Sequence, residues 1–288
     1  AGMRPPRLAL GLLLCATLSA SALDAPPATT TRDAVARLRI VPGDGDYLAY
    51  ADNLLPGPIE VRLDVSDGER LQALPALPAR ASVAAGASVL VTRLQPPRGR
   101  EGWMRLRLLG IPGSSNAKPR DVLYLLPLQQ ATPRIDQGFD GAFSHDDDEN
   151  RYALDFAAPE GTPVLAARGG IVLQVETSYT AHGTDGARFA TRANFIRILH
   201  DDGSMALYGH LAPAGAQVVP GQHVDAGQRI GTSGDTGYST APHLHFVVQV
   251  NRSLHLLSIP FRMQGVALAH ASGMRWSGDS QRCQRTAN

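Results

Sequence analysis

The sequence predicts a mostly β protein built in two regions, and three observations predict it. Short apolar runs with two-residue alternation recur along the chain. Glycine and proline, 29 and 21 in 288 residues, punctuate those runs. No segment carries the apolar repeat of a long amphipathic helix, and the best helical fragment, Met263 to His270, is short.

The start of the chain has its own pattern. Met3 is followed by Arg4 and Arg7, an apolar stretch from Leu8 to Ala16, and then Ala20-Ser21-Ala22. Basic, apolar and small residues in that order make a secretory signal peptide over residues 1–22, too short for a comfortable membrane span. Ala1 and Gly2 are expected to be additions ahead of the initiator Met3. Leu12-Leu13-Leu14 before Cys15 lacks the small residue of a lipoprotein cleavage site, so neither a lipid anchor nor a stable transmembrane anchor is expected. The mature chain is then periplasmic or secreted. Cys283 would be its single cysteine, which rules out an intrachain disulfide and leaves the core, a metal or both to hold the fold. Cys283 sits in a polar tail with no partner that would make it a nucleophile. With a formal charge of +1, almost no lysine and no basic run, nucleic acid is excluded as a partner.

Each element follows in order. Residues 23–35, with their prolines and threonines, read as a linker. Residues 36–128 carry β-like runs at Tyr47 to Tyr50, Ile59 to Leu63, Val89 to Thr92, Met104 to Leu108 and Val122 to Leu126. Turn residues such as Pro42-Gly43-Asp44-Gly45 divide them, which suggests a small β-sandwich-like domain. Arg105 and Arg107 alternate with Met104, Leu106 and Leu108, giving one wet and one dry face. This region holds no histidine and no cysteine, so it reads as a packing, covering or recognition module.

Gln129 to Arg134 would link it to a second β-rich domain over residues 129–265. Strands are expected at Tyr152 to Ala157, Gly170 to Val175, Phe195 to Leu199, Met205 to Tyr208 and His245 to Val250. The polar turn His200 to Ser204 makes a hairpin of the third and fourth. Tyr179 to Ala193 is a polar insertion, expected as a surface loop. Residues 266–288 form a C-terminal extension.

All nine histidines fall at or after His145. In Thr240 to Val250 the alternation places His243 and His245 on one face of a strand, with Leu244 turned into a core. Asp155 shares a strand face with Ala153 and Ala157, and His210 lies just beyond a strand end. Four histidines and one aspartate can thus converge from separate strands. Zinc takes nitrogen and oxygen ligands, and imidazoles left beside it could move protons or hold an oxyanion.

Several blocks then occur in a particular order. Ala157-Ala158-Pro159-Glu160-Gly161-Thr162-Pro163-Val164 follows Asp155, and Tyr208-Gly209-His210-Leu211 comes later. Gly221-Gln222-His223-Val224-Asp225-Ala226-Gly227 and Ser233-Gly234-Asp235-Thr236-Gly237-Tyr238-Ser239-Thr240-Ala241-Pro242-His243-Leu244-His245-Phe246 complete the set. Over roughly Gly141 to Val250 the chain resembles the M23 zinc metallopeptidases of the lysostaphin and LytM type, which cut peptide bonds in bacterial peptidoglycan. The resemblance implies an antiparallel-β LytM-type catalytic domain with Zn2+ on His145, Asp155 and His245. It implies His243 as base or proton shuttle and His210 as the group that polarises the carbonyl or holds the oxyanion. Tyr208 is a further candidate helper, and Asn194 a candidate brace of the groove. The partner implied is a peptidoglycan peptide.

One position departs from the family pattern. Its common spacing puts the first histidine four residues before the aspartate, where this chain has Arg151, which is no zinc ligand. His145 stands in for it, ahead of an acidic run, Asp146 to Glu149, that can loop out. Asp147 is the alternative donor in that run. If His145 does not reach the metal, the reading becomes a catalytically inactive LytM-fold protein that binds peptidoglycan or activates an amidase. A general protein-degrading metalloprotease is a third reading. His182 could touch substrate, while His200, His223, His255 and His270 are expected to be structural or exposed.

Overall fold

The computed structural model describes residues 35–68, 71–96, 103–129 and 133–268. The signal segment, most of the linker, His270 and Cys283 lie outside the described residues.

The first region forms two antiparallel sheets. One contains Ala36–Pro42, Tyr47–Asn53, Ser88–Gln95 and Gln72–Leu74 in that spatial order. The other has Ile59–Gly68 between Ala79–Val83 and Met104–Pro112. Ala49, Ala51, Val91 and Leu94 from the first meet Ile59, Val61, Leu63 and Val83 from the second in one apolar cluster. Arg105 and Arg107 are exposed while Met104, Leu106 and Leu108 are half-buried, as the alternation predicts. Leu173, Met205 and Leu256 of the later region complete the same cluster.

An eight-stranded sheet organises the second region. Its centre runs Gly170–Glu176, Phe195–Leu199, Met205–Gly209, His243–Arg252, Ala153–Ala157, with antiparallel neighbours throughout. Leu154, Phe156, Ile196, Ile198, Tyr208, Leu244, Phe246 and Val248 all belong to one core cluster. Val164, Ile230 and Leu211 meet them from a three-stranded sheet of Pro163–Leu165, Arg229–Ser233 and Leu211–Ala216. Because successive side chains alternate, burying this set turns Asp155, His243 and His245 to the opposite face. The register then aligns Phe195, Gly209, His245, Asp155 and Gln137 in one row across five strands.

Two expectations need correction. The run Val122 to Leu126 forms a strand only at Leu123–Tyr124, which pairs in parallel with Arg262–Met263. The expected helical fragment at Met263 to His270 therefore does not form over its described part; Met263 is in a strand and bridges Val266. A fragment this short cannot repay helix nucleation against strand pairing that buries Tyr124 and Met263. The polar insertion instead contains a four-residue helix, Gly186–Phe189, capped by Asp185 and anchored by buried Phe189. Among the described residues no helix is long and apolar enough to cross a membrane.

Candidate metal centre

Asp155 and His245 face each other across the central strand pair, and Gly209 flanks them on the next strand. A Cβ at Gly209 would come within 3.3 Å of the His245 Cβ, so glycine there leaves the imidazole its space. His145 arrives from a loop, held by its own N–H donating to the Gly141 carbonyl at 2.9 Å. The donor atoms of His145, Asp155 and His245 lie within 4.8 Å of one another, and all three residues are buried.

The tautomers follow from the outer partners. His145 Nδ1 lies 2.8 Å from the Gly138 carbonyl, which can only accept, so Nδ1 carries the proton. Its Nε2 is then a lone pair, buried without a hydrogen-bond partner and 3.2 Å from Asp155 Oδ2. His245 Nε2 lies 3.2 Å from Asn150 Oδ1, and Asn150 Nδ2 donates to the Asp147 carboxylate, which orients the amide. That leaves His245 Nδ1 as a second lone pair, 2.9 Å from Asp155 Oδ1.

Two imidazole lone pairs aimed at one carboxylate repel it unless a cation sits between them. The set of two nitrogens and one carboxylate oxygen fits a divalent metal and leaves a coordination position open. Protons are the other way to relieve the conflict. Burial opposes charge on His145, but its pairing with Asp155 wins and raises its pKa. Burial likewise pushes the Asp155 carboxyl up, and the hydrogen bonds and charges of His145 and His245 hold it well below the ordinary range. Gln137 Nε2 donates to Ser144 at 2.7 Å and to Asp155 Oδ2 at 3.3 Å, tying the His145 loop to the aspartate.

His243 and His210 stand beside this group with ring centroids 4.4 Å apart. His243 Nδ1 lies 2.8 Å from the Ala241 carbonyl, and His243 Nε2 lies 3.9 Å from Asp155 Oδ1. His210 has a left-handed φ of 57° and places Nδ1 2.7 Å from the Thr236 carbonyl. Dehydration first, then the neighbouring His243 and His245, pulls its pKa down to about 3. It is therefore neutral at physiological pH, with Nε2 as an acceptor. Both histidines line a cavity of about 670 Å³ together with Asp155 and His245. Phe143 stacks on Tyr238 at its lip, with centroids 5.6 Å apart.

Tyr208 is not part of this cavity. It points to the other face of the sheet, is fully buried against Phe246, and its hydroxyl accepts from the Ala167 N–H at 2.8 Å. The expected helper is thus a core residue, because alternation turns it away from Gly209. Asn194 does brace the groove: its amide bonds both backbone groups of Tyr179, and its N–H donates to Thr236 Oγ1. Arg151 is exposed, 3.9 Å from Asp140, and Asp147 pairs with Asn150. His182 lies 2.8 Å from Asp235 Oδ2, His200 is buried on the Gly169 carbonyl, and His223 and His255 are exposed. Gln137, Asn150 and Gly138 escaped sequence reasoning; only the position of Asn150 in the run after His145 hinted at a part.

Residues 149–255 match the description of peptidase family M23, a range that begins just after His145. The chain is 42% identical over 103 residues to the glycyl-glycine endopeptidase ALE-1 of Staphylococcus capitis, covering 35% of this chain and 25% of that protein. It is 39% identical over 92 residues to the peptidoglycan DD-endopeptidase ShyA of Vibrio cholerae, covering 32% of this chain and 18% of that protein. Among solved structures, the catalytic domain of lysostaphin from Staphylococcus simulans is 42% identical over 35% of this chain and 67% of that one, with a TM-score of 0.28. The alignments to these two curated relatives thus span a quarter of their length or less. The chain carries a domain of peptidase family M23.

Proposed function

We propose that this is an exported, periplasmic or secreted, zinc-dependent endopeptidase that hydrolyses peptide bonds in bacterial peptidoglycan stem peptides or cross-links. One observation carries the reading: the buried lone pairs of His145 Nε2 and His245 Nδ1 converge on the Asp155 carboxylate beside two further histidines. The peptidoglycan substrate is supported by the names of relatives such as ShyA and ALE-1.

His145 Nε2, the Asp155 carboxylate and His245 Nδ1 would hold the zinc, which supplies Lewis acidity and lowers the pKa of an attacking water. His243, oriented through Nδ1 by the Ala241 carbonyl, presents Nε2 as the base that takes the water proton. His210 is also an acceptor at rest, because its Nδ1 proton is spent on Thr236. Once one of the pair has taken a proton it becomes a donor, able to bind the oxyanion or protonate the departing amine. Rings 4.4 Å apart disfavour two charges, so the pair moves one proton at a time.

The test is zinc content and release of soluble peptidoglycan fragments, measured together on protein lacking residues 1–22. About one zinc with release is expected in the parent, and loss of both in His145→Ala. In His243→Ala zinc should stay while the rate falls about 10²–10⁴-fold. Full zinc in His145→Ala would refute its role as ligand. Zinc without cleavage in the parent would favour the inactive binding or amidase-activating reading that Arg151 raises.

A further inference from the structure

The cavity that holds the histidines continues along the sheet beyond them, where Arg197 and Gln249 line it. Arg197 pairs with Leu207, whose other partner is Val247. Two-residue alternation from Phe195 puts Arg197 on the face of Asp155 and His245, about 7 Å along the strand from their row.

Arg197 is only 7% exposed. Its Nη1 donates to Gln249 Oε1 at 3.0 Å, and its Nε is buried with no acceptor. Gln249 is itself oriented, since its Nε2 donates to the Glu149 carbonyl at 2.9 Å. Among the described residues Arg197 forms no ion pair. Burial pulls its pKa down to about 10, against the field of Glu149, so the guanidinium stays cationic at neutral pH. Glu149 does not neutralise it by contact, and its own pKa is raised, dehydration being the largest cause. A guanidinium buried without a carboxylate costs free energy that an incoming carboxylate would recover through a two-bonded fork. Asp136, Asp146, Asp147 and Glu149 line the same cavity. They repel a free polyanion, so the carboxylate must be carried by a peptide held elsewhere along the groove.

We propose that Arg197 and Gln249 form a subsite for a free carboxylate of the peptide substrate, about two residues of extended chain from the bond held beside His243. The proposal rests on reading the site as a peptidoglycan peptidase. It makes the enzyme selective for cross-linked stem peptides with unblocked carboxylates over the same peptides with those groups amidated.

The experiment compares the metal-loaded protein on a soluble cross-linked stem peptide and on its carboxamide counterpart. The parent should show a KM about tenfold higher for the carboxamide with kcat little changed, the loss of one charge-assisted contact. Arg197→Gln should raise KM for the carboxylate peptide to that level and abolish the preference, and Arg197→Lys should restore part of it. Equal KM values in the parent, which needs no variant to fold, would overturn the proposal. So would a preference that survives in Arg197→Gln. If the parent cuts neither peptide, the peptidase reading fails separately. The subsite is then judged by the Arg197 Nε–H resonance during titration with the same two peptides, where movement with the carboxylate peptide alone supports it and no movement, or equal movement with both, overturns it.

Discussion

His200 has the same ring as the groove histidines but the opposite job. Its Nδ1 donates to the Gly169 carbonyl at 2.9 Å, and its Nε2 is buried without a partner. Burial pulls its pKa from the ordinary 6.5 down to about 4. The unfolded chain therefore binds a proton that the folded chain refuses between those values, and stability must fall as pH drops from 6.5 towards 4. The full effect is about 3 kcal/mol at 1.36 kcal/mol per pH unit. Denaturant unfolding from pH 7 to 4 should show this loss in the parent and a flatter profile in His200→Gln. Equal slopes would show that His200 is not the group that titrates. In the groove, by contrast, each imidazole proton is spent on a protein acceptor so that the other nitrogen is available for chemistry.

A single strand can serve both purposes because alternate side chains leave it on opposite sides. Met205–Gly209 sends Tyr208 into the core and leaves Gly209 beside His245. The Tyr208 hydroxyl holds the Ala167 N–H, and burial raises its pKa well above the ordinary tyrosine range, so it is no proton donor for the reaction. Tyr208→Phe is expected to cost about 1–3 kcal/mol of stability through the unpaired amide while leaving kcat within about twofold. A fall in kcat at unchanged stability would return Tyr208 to the chemistry. The His145 loop is positioned by a different device, the Gln137 amide, which reaches Ser144 and Asp155 from the edge strand.

The described residues all belong to one compact unit, and Asn251 shows how its regions are joined. It is fully buried; its Nδ2 donates to the carbonyls of Ile111, Pro112 and Gly113, and its Oδ1 accepts from the Leu254 N–H. Leu173, Met205 and Leu256 add apolar packing to the same contact. Cutting this junction should destabilise both regions together. Asn251→Ala is expected to cost about 2 kcal/mol or more, by leaving buried carbonyls unpaired. Trp103 fluorescence, read in a Trp276→Phe background so that it reports on the first region, and metal release, which reports on the second, should still shift in one shared transition. Separate transitions in the parent would show that the two regions unfold independently.

The sequence by itself determined the mostly β character and, to within a few residues, the five central strands between Ala153 and Arg252, and it singled out His145, Asp155, His210, His243 and His245 as candidates. Those signals are local: alternation, turn residues and ordered blocks are written in neighbouring positions. Only the tertiary structure decided that Tyr208 faces the core, that Met263 pairs as a strand, and that His145 rather than Arg151 approaches Asp155. It alone assigned the tautomers through Gly138, Asn150 and Thr236, and placed Arg197 against Gln249, 52 residues away, without a carboxylate. Each of these depends on a partner or an environment set by packing across strands, and no single stretch of chain contains that information.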